Sequence, residues 1–71
     1  MPATESIEIS VNGEPTQVSA GVTLAELFAA RPPRPPFAVE VNRQLVRRGE
    51  YERVALRAGD RVEIVTLVGG G

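Results

Sequence analysis

Apolar and polar residues alternate with period two at the start of the chain, change to a helical period, and then return to alternation. Ile7, Ile9 and Val11 interleave with Ser6, Glu8 and Ser10, the pattern of a half-buried strand, and Asn12-Gly13 supplies the pair that a two-residue hairpin turn favours. A return strand is expected from about Thr16 to Val18, with Pro15 marking a sheet edge because it donates no ladder hydrogen bond. Thr23 followed by Glu26 forms a capping-box pattern. It predicts a helix over 24–30, with Leu24, Leu27 and Phe28 on one face. Pro32, Pro33, Pro35 and Pro36 end that helix, since each fixes φ and removes a donor, and they read as a stiff helix-to-strand connector.

Alternation resumes at Phe37, Val39 and Val41, a third strand expected to end at Asn42. Leu45 and Val46 form a short fourth strand, Gly49 to Arg53 a turn or single helical turn around Tyr51, and Ala58-Gly59-Asp60 a tight turn. The final strand is expected from Arg61 to Val68. It is apolar on both faces, with Val62 and Ile64 on one side and Glu63, Val65 and Leu67 on the other. One helix covers one face of a small sheet, so Val65 and Leu67 lie either under a local bulge or in solvent, where they would form a partner-docking patch. The expected core is Ile7, Ile9, Leu24, Leu27, Phe28, Val39, Val41, Val62 and Ile64.

Composition narrows the function. A chain of 71 residues makes one domain and encloses little space for an active site, so a self-contained enzyme is disfavoured. There is no cysteine and no histidine. Disulfides, thiol nucleophiles, thiolate or imidazole metal ligands and imidazole bases are therefore excluded. Eight basic residues, all arginine, nearly balance nine acidic ones, which gives no nucleic-acid footprint. Glu8, Glu40 and Glu63 read as outward strand positions rather than a metal cluster. Arg43, Arg47, Arg48 and Arg61 read first as solvated surface. No signal peptide and no apolar run of membrane-spanning length is seen, and a cytoplasmic location is expected.

After Val68 stand Gly69, Gly70 and Gly71. A tail without side chains can enter an enzyme channel that any Cβ would block, and from Val68 it reaches roughly 10 to 13 Å at about 3.3 Å per extended residue. The expected organisation is a domain over 1–68 and a flexible glycine tail over 69–71. The reactive atom would be the terminal carboxylate.

The element order is that of an α+β, ubiquitin-like β-grasp: a mixed four- or five-stranded sheet with one crossing helix, its first and last strands parallel at the centre. The segments Val11-Asn12-Gly13-Glu14, Ala38 to Asn42, Val46-Arg47-Arg48, Ala58 to Val65 and Val68 to Gly71 resemble the ThiS family, the sulfur carriers of thiamine biosynthesis. Two positions depart from the family pattern. Tyr51 stands where tryptophan is frequent, and a third glycine exceeds the usual diglycine. The resemblance implies a carrier rather than an enzyme, with no cofactor of its own and no catalytic residue. Gly71 would carry the sulfur, with Gly69 and Gly70 as the slender tail before it. The implied partners are an E1-like adenylyltransferase of the ThiF type, a thiazole synthase of the ThiG type and a sulfur donor enzyme, with neither nucleic acid nor membrane. A carrier serving molybdopterin, tRNA thiolation or cysteine, or a ubiquitin-like protein modifier, remains open on the sequence.

Overall fold

A computed structural model describes residues 5–67. Within them, strand β1 (Ser6–Val11) turns through Asn12-Gly13 into β2 (Glu14–Ser19), in register from Val11 opposite Glu14 to Ser6 opposite Ser19. Asn12 and Gly13 have φ of 51° and 83°. Two consecutive left-handed residues make the turn whose twist matches that of the flanking strands. β2 is an edge strand, and Pro15 lies opposite Ser10 in a pair whose amide side faces outward, so its missing N–H leaves the ladder intact.

Helix α1 (Leu24–Ala30) begins with the expected box: the Glu26 amide donates to Thr23 Oγ1 at 3.1 Å and the Thr23 amide donates to Glu26 Oε1 at 2.9 Å. The two remaining amides of the first turn are taken up elsewhere, Leu24 N–H by the Val54 carbonyl and Ala25 N–H by that of Tyr51. These bonds satisfy donors that every helix start leaves over, and they hold the irregular segment 51–56 against the helix. The Leu56 amide donates in turn to the Val22 carbonyl at 2.8 Å. That lays the Leu56 side chain, 2% exposed, beneath α1.

The proline connector leads to β3 (Phe37–Val41), which pairs antiparallel with β4 (Gln44–Val46). A 3₁₀ turn at Arg48–Glu50 follows, one residue earlier than expected, and then β5 (Arg61–Thr66). β3 stops at Val41 rather than Asn42 because Asn42, with φ of 52°, already begins a turn completed by Arg43 at 70°. The sheet order is β2-β1-β5-β3-β4, with β5 parallel to β1 and antiparallel to β3. The sheet is thus five-stranded and mixed, a β-grasp with its last strand in the middle.

Ile9, Leu24, Leu27, Phe28, Val39, Val41 and Val62 are buried as expected, and Val46 and Leu56 join them. Ile7 and Ile64 pack on the margin of this cluster and are only half-buried. The deepest point of β5 is therefore Val62, not Ile64. Full burial of a large aliphatic side chain contributes about 1.5 to 3 kcal/mol, which ranks Ile9, Leu24 and Leu56 above Ile64. Phe28 adds edge-to-face contacts with Phe37 and Tyr51, at centroid separations of 5.7 and 5.2 Å.

Candidate functional site

The final strand organises the surface because both hairpin turns fasten it. On one side the Asn12 amide donates to the Val62 carbonyl at 2.9 Å, and Asn12 Oδ1 accepts from the Ile64 amide at 2.7 Å. On the other side the Asn42 amide donates to the Arg61 carbonyl at 2.8 Å, and Asn42 Oδ1 accepts from the Arg61 amide at 2.9 Å. A left-handed residue swings its own carbonyl out of the ladder. In each turn the asparagine side chain puts an oxygen where β5 needs an acceptor. Asn42 Nδ2 also donates to Asp60 Oδ1 at 3.0 Å, while Asp60 Oδ2 accepts from the Arg57 amide at 2.8 Å, closing the turn that feeds β5.

Beyond these fastenings the outer face of β5 changes character. Near its start, Arg61 and Glu63 share a shallow polar concavity of about 450 Å³ with Ser10, Gly13 and Arg43. Glu63 lies opposite Glu40 on β3. Towards its end, Val65 lies opposite Ala38, and Val65 and Leu67 are each 49% exposed. There is no bulge over them: the register from Val41–Val62 to Phe37–Thr66 is regular, and the Leu67 amide donates to the Pro36 carbonyl at 2.8 Å. Of the two readings of the apolar outer face, the solvent-exposed one holds. Leu45 on β4, 63% exposed, is a further large apolar side chain that the sequence reading did not single out for a surface role.

The arginines do not converge into one site. Arg43 and Arg61 border the polar concavity, whereas Arg47 and Arg48 lie at the β4 edge. Among the described residues no group of His, Cys, Asp or Glu is arranged to hold a metal ion, and no helix is long and apolar enough to cross a membrane. Val68, Gly69, Gly70 and Gly71 lie outside the described residues.

The family model for the ThiS family matches residues 5–71. The chain belongs to the ThiS family. Its fold agrees with a crystal structure of a thiamine biosynthesis protein (ThiS) from Geobacter metallireducens, 28% identical, with a TM-score of 0.79 over 92% of this chain and 100% of the other. A solution structure of a thiamine biosynthesis protein from the same organism gives a TM-score of 0.72 at 28% identity, covering 92% and 88%. A protein named thiazole synthase in Magnetococcus marinus is 41% identical over 66 residues, and one in Paramagnetospirillum magneticum is 35% identical over 66 residues. In both cases 92% of this chain is covered but only 20% of the relative, so the chain spans about a fifth of the length of those proteins. Within that fold the last strand of this chain runs from a clamped polar end to an exposed apolar one.

Proposed function

We propose that this chain is the sulfur carrier for thiazole formation in thiamine biosynthesis, acting through the carboxylate of Gly71. The family match reaching from residue 5 to Gly71 is the observation that carries the reading. A free α-carboxylate is an anion at neutral pH and a poor electrophile. An E1-like adenylyltransferase therefore activates it: a carboxylate oxygen attacks the α-phosphorus of ATP, pyrophosphate leaves, and an acyl adenylate forms. The outer sulfur of a persulfide on the donor enzyme then adds to the acyl carbon and AMP departs, giving an acyl disulfide; a second thiol attacks the donor's sulfur, forms a disulfide with it and releases the terminal thiocarboxylate. Thiazole synthase takes its sulfur from that group.

Nothing in this scheme asks for a catalytic side chain on the carrier. The domain, taken as 1–68, supplies the grip, with Val65 and Leu67 as the docking patch, and 69–71 supplies a tail that fits a narrow channel. The two relatives named thiazole synthase support thiazole synthase as the acceptor, since the stretch they share with this chain belongs there to a longer polypeptide of that name.

Intact-mass measurement after incubation with the adenylyltransferase, ATP and a sulfur donor tests the proposal. The expected result is replacement of one oxygen by one sulfur, mapped to the C-terminal peptide, and abolished by Gly70→Val or by one residue added after Gly71. Leu67→Asp should leave the domain folded and slow the conversion at least tenfold. A mass change elsewhere in the chain, or an amide conjugate to a partner lysine in place of the thiocarboxylate, would overturn it.

A further inference from the structure

β4 is shorter than the strand it pairs with. Its last pair is Val46 with Val39, so among the described residues Phe37 and Ala38 continue β3 with no strand beside them on that side. Ladder alternation settles which way their backbone points. The Asn42 amide and the Pro36 carbonyl bond to β5, so the even positions of β3 face β5, and the amide and carbonyl of Phe37 face the open side.

This opening is the floor of an apolar groove of about 920 Å³. Phe28, Tyr51, the proline connector, Leu45 and Val46 are among the residues that line it. Arg47 and Arg48 also line it, and no carboxylate among the described residues does. The nearby Glu50 carboxylate accepts from the Arg47 backbone amide at 3.0 Å.

We propose that this notch receives an extended, acidic-flanked segment of a partner protein, which occupies the strand position that β4 vacates. Its backbone would pair with the amide and carbonyl of Phe37, and its apolar side chains would fill the space beside Phe28, Tyr51 and Leu45. Its carboxylates would meet Arg47 and Arg48. Main-chain pairing supplies affinity in this mode, and the pockets on either side supply selectivity. Charge decides between occupants. Two copies of this chain meeting edge to edge would bring four arginines together, whereas an acidic strand is complementary. The apolar lining and the open strand edge favour a peptide over a nucleic acid. β5 ends at this same end of the sheet, where the Leu67 amide bonds to the Pro36 carbonyl, so a segment bound in the notch lies across β3 from Leu67. The proposal does not depend on which acceptor the tail serves.

The probe is a peptide blocked at both ends, with a Val-Phe-Val centre and glutamates on either side, titrated into the full chain and followed by amide chemical shifts. Shifts should centre on Phe37, Ala38, Leu45 and Val46, with affinity falling at least tenfold for the lysine-flanked counterpart and for Arg47→Ala combined with Arg48→Ala. The lysine-flanked peptide needs no variant, so the charge test stands even if the double substitution disturbs the 3₁₀ turn. Shifts confined to Val65 and Leu67, equal affinity for both peptides, no binding at all, or tighter binding of a single-stranded RNA oligomer would each overturn the proposal.

Discussion

The β1–β2 and β3–β4 hairpins flank β5 and hold it with the same device, yet they build their turns at different cost. Each begins with an asparagine at φ near 50° whose side chain accepts a β5 amide. In the first the next residue is Gly13, to which φ of 83° costs no steric energy. In the second it is Arg43 at 70°, where a Cβ crowds the backbone by about 1 to 2 kcal/mol. The asparagine is the part both turns share, and the second residue is free to vary because it makes no bond to β5. What the strained arginine obtains is a position beside Arg61 on the polar concavity.

Removing the shared part should have the largest effect. Asn42→Ala loses both side-chain bonds, to the Arg61 amide and to Asp60, and puts alanine in a left-handed turn; a loss of about 2 to 3 kcal/mol in chemical denaturation is expected. Asn12→Ala loses only the acceptor for the Ile64 amide, so about 1.5 to 2 kcal/mol is expected. Equal losses would mean that Asp60 contributes nothing through Asn42. Gly13→Arg copies the second turn into the first. A Cβ there meets no atom within 4 Å, so the left-handed backbone sets the main cost, about 1 kcal/mol by the same measurement. The reverse change, Arg43→Gly, should stabilise by about 0.5 kcal/mol, strain relief being partly offset by glycine's entropy. A destabilised Arg43→Gly would show that the guanidinium makes a contact worth more than its strain.

The same contrast explains what was legible beforehand. Asn12-Gly13 between alternating runs is a strong hairpin signal, and it was read correctly. Asn42-Arg43 carries no glycine, so the third strand was extended one residue into its own turn. The helix was clear because the Thr23–Glu26 box and the prolines mark both its ends. Leu56 is not clear, since the short run Val54-Ala55-Leu56 has no alternation to tell which of its residues is buried; its burial follows from backbone bonds that reach across from the helix start. Alternation alone puts Ile64 in the core, because it tells which face a residue occupies but not how close it lies to the sheet margin. Val65 and Leu67 stand out in the sequence because their apolar character breaks the alternation, and both are exposed. The groove at the β4 edge depends on a difference in strand length, which no local pattern encodes.

That the middle strand of the sheet comes after the others in the chain also shapes how the domain assembles. The two hairpins and the helix are local structures, each closed by short loops, whereas β5 pairs with β1 only when Arg61 reaches Ser10 from the far end of the chain. Such long closures come late and slowly. Until then Ile9 and Val39 border an open seam that Val62 has yet to fill, so a chain interrupted before Arg61 would present two preformed flanks with an adhesive gap between them. Insertion of β5 seals that gap and sets Leu67 against Pro36, so that completing the core and fixing that end of the sheet are one event.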